Sequence, residues 1–242
     1  MNLYAFGPIA AVLDAAYAVL HNLTLFLTPV AAANAGALAI IVLTLALRLL
    51  LIPVGVSQAR AQQVRQRLAA RLAELRRLHA GSPERLQRET AALYAAENAS
   101  PLAGCLPMLV QAPILSIVYG LFVVGSINGH DNALLAGGLF DSPLGTSILT
   151  GWTAGPSMAV LLVGAVVVLL QLVVQLLSRR LMQAQNVATP QVGPAGMLSW
   201  LQLIGVVFAV FVPLAAALYL TLSAAWGVAE RALLWRLLRP AR

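Results

Sequence analysis

Long apolar runs separated by one markedly polar interval organise this chain. Stretches 35–54, 104–127 and 157–177 carry at most one charge each, and each supplies the roughly 20 residues that a helix rising about 1.5 Å per residue needs to cross a bilayer core. Segment 197–229 is apolar for longer than one span requires, with Pro213 at its middle. Proline removes a backbone donor, so this segment predicts two short spans folded into a hairpin. The pattern therefore predicts an all-α membrane protein with five transmembrane helices. Ahead of them, within residues 1–30, an interfacial amphipathic helix is predicted over 8–27. Asp14, His21 and Asn22 fall near one face, and Ile9, Val12, Leu13, Val19 and Leu20 supply apolar surface.

The polar interval, 56–100, alternates Arg, Glu, Gln and Ala, but it is not patternless. Val64, Leu68, Leu72, Leu75 and Leu78 recur every three or four residues, as on one stripe of a helix. After Gly81, Ser82 can cap a second helix with Pro83 in its first turn, and Leu86, Thr90, Leu93 and Tyr94 continue the spacing. Glu84 with Arg88, and Arg85 with Glu89, stand at i, i+4. A helical hairpin in water is expected here, followed by the four remaining spans over 101–230 and a basic tail over 231–242.

Composition sharpens this picture. Of 242 residues, 60% are hydrophobic and 10% charged, and the mean hydropathy is +0.86, well outside the range of soluble domains. The net charge of +7 comes from arginine alone, for the chain has no lysine. Eight arginines lie between Arg60 and Arg88, two more are Arg179 and Arg180, and Arg231, Arg236, Arg239 and Arg242 close the chain, whereas 128–156 has Asp131 and Asp141 and no basic residue. Basic loops stay cytoplasmic, so the amino terminus is expected outside and the carboxyl terminus inside. A cleaved signal peptide is disfavoured because no Lys or Arg precedes Arg48. The single cysteine, Cys105, excludes an internal disulfide framework and a thiol metal site.

Arg48 is the chemically informative residue. A charge in a spanning helix costs about 2.5–3.5 kcal/mol on insertion scales, so it normally faces protein or water. Thr44 shares its helix face, and the predicted spans hold no carboxylate except Glu230 at the end of the last. Without a nearby carboxylate, a water-filled polar cavity open to the cytoplasm is expected. Gln111, Gln171, Gln175, Gln202, Tyr219, Thr221 and Ser223 are candidates to line it. Against this stand plainer readings: any one glutamine as an interhelical hydrogen bond, and Arg48 as a snorkelling side chain. Depth favours the cavity, because five residues separate Arg48 from Pro53. In the hairpin, Arg65, Arg71, Arg76, Arg77, Arg85 and Arg88 form a basic docking surface suited to anionic lipid, ribosomal RNA or an acidic partner, with a merely solvated helical loop as the plainer reading.

Several runs resemble the YidC family of membrane protein insertases. Ile41-Val-Leu-Thr-Leu-Ala-Leu-Arg48-Leu-Leu-Leu-Ile-Pro53 is similar to the family's arginine-bearing helix, and Asn98-Ala-Ser-Pro-Leu-Ala-Gly-Cys-Leu-Pro-Met-Leu-Val-Gln-Ala-Pro-Ile114 to its most recognisable stretch. Leu139-Phe-Asp-Ser-Pro-Leu-Gly145 and Val212-Pro-Leu-Ala-Ala-Ala-Leu-Tyr-Leu220 resemble later signatures. The resemblance implies a five-span core, an amphipathic helix before it, a cytoplasmic helical hairpin and a hydrophilic groove whose arginine, here Arg48, receives the polar or acidic part of a client. It implies the compact form seen in Gram-positive bacteria and a multi-pass place in the bacterial inner (plasma) membrane. The last helix departs from the family pattern: Pro213-Leu-Ala replaces Pro-Ala-Gly or Pro-Ser-Gly, Ser223-Ala224 replaces Ser-Asn, and Leu220 stands where an aromatic is usual.

The expected function is insertion or chaperoning of membrane proteins rather than a covalent reaction. No Gly-x-x-x-x-Gly-Lys-Ser/Thr phosphate loop occurs, no cofactor or metal is expected, and Cys105 has no histidine base to activate it. Partners implied are nascent membrane protein clients and the lipid bilayer, with the Sec translocon and the ribosome as further candidates and no small-molecule substrate. An alternative is a small anion channel or secondary transporter using Arg48, which predicts an internal repeat that the sequence lacks. A third is an assembly factor that packs helices after they have crossed.

Overall fold

The structure, a computed structural model, describes residues 7–97, 106–127, 129–153, 155, 157–185 and 204–237. It is mostly helical. Helix α1 (Gly7–Ala31) turns a corner through a 3-10 turn at Ala32–Asn34 into α2 (Ala35–Leu50). The corner is sharp enough to put Ala32 at a φ of 45°, a left-handed conformation that costs a residue with a Cβ roughly 1–2 kcal/mol. Next come α3 (Ile52–Leu78), α4 (Pro83–Ala96) and α5 (Leu106–Val123), a loop region with a short helix α6 (Ile148–Thr153), then α7 (Met158–Gln185), α8 (Ile204–Phe211) and α9 (Leu214–Leu237).

Helix α1 is longer than the 8–27 expected, and Asp14, Tyr17, His21, Thr24 and Thr28 recur along one face of it. Leu13 and Leu20 are buried in the core, while Val12, Val19, Phe26 and Val30 are exposed on another face. An apolar row that protein leaves uncovered needs lipid. The same holds on α7, where Leu162, Val166, Leu169, Val173 and Leu176 are exposed at helical spacing. Among the described residues, Gly7–Leu50 and Met158–Ala184 are long and apolar enough to cross a membrane.

The first predicted span resolves differently from its sequence pattern. Helix α2 stops at Leu50, with Arg48 in its last turn, and α3 begins at once with Pro53 in its first turn. There the missing proline N–H is tolerated because first-turn donors have no partner in the helix anyway. The α3–α4 hairpin thus grows directly out of α2. Helices α3 and α4 pack together, burying Leu68 and Tyr94 but leaving Leu78 exposed. Ser82 occupies the N-cap of α4 as expected, yet its side chain makes no capping bond. Neither Glu84–Arg88 nor Arg85–Glu89 closes to ion-pair distance; the only ion pair among the described residues is His130–Asp14.

The loop after α5 is not featureless. Ser126–Ile127 pairs antiparallel with His130–Asp131, and Gly138–Leu139 pairs with Ser142–Pro143, so an all-α description needs two small β-hairpins added. Phe140 and Asp141 join the second pair with φ of 48° and 62°, positive at both central positions as a type I′ turn demands. Asn132 holds this loop to α5: its Nδ2 donates to Leu121 O at 2.6 Å and Val124 O at 2.9 Å, and its Oδ1 accepts from Leu134 N at 3.2 Å. Asn34 Oδ1 accepts from Phe140 N at 2.8 Å, tying the α1–α2 corner to the second hairpin. As predicted, Pro213 breaks the last apolar segment, between α8 and α9.

Helix α9 is the central post. It packs on both α7 and α2. Buried Ala35, Ala37 and Ala39 on α2 and Ala215, Ala216 and Ala217 on α9 keep side chains small, which allows helix backbones to approach closely.

Candidate functional site

Two rows of polar residues run through the apolar interior. On α7, Gln171, Gln175 and Ser178 stand at i, i+4 and i+7, one face of the helix. Gln171 is buried and its Oε1 has no hydrogen-bond partner among the described residues. The Nε2 atoms of Gln171 and Gln175 both lie 3.4 Å from where a Cβ on Gly205 would stand, so the two amides converge on α8. Further along, Arg231 Nη1 donates to Ser178 Oγ at 3.5 Å, a long bond from α9 to α7.

The second row is on α9. Tyr219, Ser223, Trp226 and Glu230 recur at i, i+4, i+7 and i+11 and so share a face. Ser223 Oγ, Trp226 Nε1 and Glu230 Oε1 are all buried without a hydrogen-bond partner among the described residues. Buried polar atoms in native proteins are nearly always paired with protein or water. The three make a polar row inside an apolar interior, with Trp226 and Glu230 next to each other in it.

Arg48 sits at the end of this second row. It is half-buried and makes no ion pair with the described residues. Glu230 is packed against Gly55 in the first turn of α3, so closely that a Cβ there would collide with the carboxylate. That places a carboxylate at the junction of α2 and α3, in the turn that follows Arg48. The sequence places Glu230 at the far end of the chain, and only the packing of α9 on α2 and α3 brings it back.

The remaining predicted site residues fall in different places. Thr44 is 2% exposed and its hydroxyl donates to Ile40 O at 2.6 Å, so it satisfies its own helix. Thr221 does the same with Ala217 O at 2.8 Å. Tyr219 is buried within the apolar core. The side chains of Gln111 and Arg65, and all of Gln202 and Cys105, lie outside the described residues. Arg71, Arg76, Arg77, Arg85 and Arg88 are exposed on the hairpin. Missed from the sequence were Ser178, Trp226, Glu230 and Arg231. A polar stripe at helical spacing on 219–230 was the signal available for Trp226 and Glu230.

Exposed apolar helix faces outside and unpaired polar atoms inside define a multi-helical membrane protein with a hydrophilic interior seam. The profile of the 60Kd inner membrane protein family matches residues 27–239, and the chain belongs to that family, the YidC family of the sequence resemblance. Similar proteins include the "Membrane protein insertase YidC" of Clostridium perfringens, 39% identical over 67 residues, 28% of either chain. The protein of the same name from Granulibacter bethesdensis is 44% identical over 57 residues, 24% of this chain and 10% of that one. That of Chlamydia caviae is 29% identical over 99 residues, 39% of this chain and 12% of its own. The matched segments thus span well under a third of each of these relatives.

Proposed function

We propose that this chain is a membrane protein insertase of the bacterial plasma membrane that passes clients along an arginine-bearing groove. The reading rests on the seam itself: Ser223, Trp226 and Glu230 carry buried atoms that protein leaves unpaired, and they lead to Arg48. The relatives' shared name supports the client class. The five spans are those of the apolar runs 35–54, 104–127 and 157–177 and the two halves of 197–229 on either side of Pro213, with α1 along the outer interface, the α3–α4 hairpin and carboxyl terminus in the cytoplasm, and the amino terminus outside. Arginine placement supports that orientation.

The mechanism follows from cost. Dragging a hydrophilic client tail through about 30 Å of hydrocarbon strips its water. A wet groove shortens the dry distance, and Arg48 supplies a transient counter-charge to an acidic tail. Once the client's apolar helix reaches lipid, its burial at roughly 25 cal/mol per Å² drives the step without nucleotide. The exposed hairpin arginines offer a basic surface to nascent clients' delivery partners, among which the Sec translocon and the ribosome are the candidates.

Arg48→Ala is expected to reduce insertion of a client with an acidic translocated tail about tenfold, the effect of losing a charge-assisted contact, while a neutral-tailed client changes little. Arg48→Lys should retain part of the activity. Equal insertion of both clients by Arg48→Ala would defeat the counter-charge role. Water in the groove is checked by an impermeant maleimide on Gln175→Cys in a Cys105→Ser background. Gln175 is partly exposed, whereas Thr44 is too buried to report.

A further inference from the structure

Among the described residues, three that are not glycine hold a positive φ: Ala32 at 45°, Phe140 at 48° and Asp141 at 62°. They are far apart in sequence and meet in space. Ala32 makes the corner between α1 and α2, Phe140 and Asp141 make the tip of the second β-hairpin, and Asn34 Oδ1 joins the two by accepting from Phe140 N at 2.8 Å. The hairpin is closely seated on this corner, for a Cβ on Gly138 would stand 3.2 Å from Ala33 O. Behind the tip, Leu144 is buried and its carbonyl accepts from Ala215 N at 3.0 Å, which fixes the hairpin to the start of α9.

A bulky side chain in the left-handed region is an outlier, kept where the surroundings over-determine the backbone. Glycine or asparagine would make this turn without the strain, so the turn itself does not call for an aromatic ring. Yet the ring so presented is 69% exposed. Its neighbours say what covers it. The exposed apolar row of α1 ends at Phe26 and Val30, just before the same corner, and the tip continues that lipid-facing row. Asp141 is exposed as well. An apolar ring beside a carboxylate suits the boundary between headgroups and hydrocarbon rather than the hydrocarbon itself. The corner also lies at the opposite end of α2 from the arginines of the α3–α4 hairpin, and the 16 residues between them rise about 24 Å, most of the thickness of a bilayer core.

We infer that the Phe140–Asp141 tip is a membrane anchor at the outer headgroup boundary, with lipid as its partner, and that it sets the depth of Arg48. The second half of this inference rests on the groove reading above. From Ala35 to Arg48, α2 rises about 20 Å. A helix hung from an anchored corner therefore holds Arg48 in the inner half of a core about 30 Å thick, where an acidic client arriving from the cytoplasm reaches it over the shorter dry path.

Two readouts on the full chain in phosphatidylcholine vesicles test this. The first is a nitroxide on Phe140→Cys in a Cys105→Ser background, read by power saturation against oxygen, which concentrates in lipid, and against a water-soluble nickel chelate. Oxygen should relax the label more than nickel does. Nickel access equal to that of a label on Arg77→Cys, in the exposed hairpin, overturns the anchor. Phe140→Gly suits the turn and removes the ring, so the melting midpoint in detergent should stay unchanged or rise; a midpoint several degrees lower makes Phe140 a packing residue and overturns the anchor too. The second readout is insertion of the acidic-tailed client into vesicles of short-chain and of long-chain lipid. A thicker bilayer lengthens the path from the cytoplasmic surface to an Arg48 held from the outer side, so the wild type should insert about two- to threefold less in long-chain vesicles, and Phe140→Gly should narrow that difference. No dependence on chain length in the wild type, or an undiminished one in Phe140→Gly, overturns the depth-setting step. Arg48→Met separates the two readings: an unaltered preference for acidic clients there defeats the groove, while the nitroxide still reports the anchor.

Discussion

The two ends of the helix bundle treat polar groups in opposite ways. At the end carrying the β-hairpins, polar side chains are spent on structure. Asn132 makes three hydrogen bonds, Asn34 accepts from Phe140 N, Ser147 and Thr150 satisfy each other, and Asp14 meets His130. Among the described residues there, only Ser142 Oγ is buried without a partner. Along α7 and α9 toward Arg48, the reverse holds: Gln171, Ser223, Trp226 and Glu230 each keep a buried atom unpaired. One end is stitched by hydrogen bonds, and the other leaves buried polar atoms that the described residues do not pair.

The sharpest way to break this contrast is to make a like change at each end. Asn132→Leu removes three bonds and strands two carbonyls at the end of α5, so it should destabilise by about 3–5 kcal/mol, visible as a large drop in the unfolding midpoint. If Asn132 tolerated leucine, the satisfied end would not be the rigid one. Gln171→Met, in contrast, removes an amide that already lacks one partner. It should leave stability unchanged or raise it by up to about 2 kcal/mol, while reducing maleimide labelling of Gln175→Cys and insertion of acidic-tailed clients. A large loss of stability from Gln171→Met would show that protein groups satisfy that amide after all. Smallest of all is Asp14→Asn. The His130 contact is 3.0 Å but its side chains are 45% and 38% exposed, so a loss below about 1 kcal/mol is expected, diminishing further in high salt. The ring of Tyr17 on α1 also contacts that of His130, with centroids 4.9 Å apart, and holds α1 to the loop without it.

Much of the architecture was legible because it is local. The break at Pro213, the start of α4 at Pro83 and the apolar length of α7 each depend on a few neighbouring residues, and the structure bears them out. Arg48 was legible for the same reason, as one charge in an apolar run. Its setting was not. The span was read as running on to Pro53, yet α2 ends at Leu50 and Pro53 opens α3, because proline both ends and begins helices and sequence alone does not choose. The predicted groove residues also divide. Gln171 and Gln175 converge on Gly205, Thr44 and Thr221 bond their own helices, and Glu230 packs against Gly55 at the start of α3. Helical spacing ranks faces, but it does not say which faces meet.

By itself, then, the sequence determined which runs are apolar and where the charges interrupt them, since desolvation cost is paid residue by residue along local runs. Tertiary structure alone decided which polar groups share space. That choice depends on how each helix is rotated and how closely small residues such as Gly55, Ala37 and Ala216 let neighbours approach, so a carboxylate near the end of the chain can lie against a helix near its start.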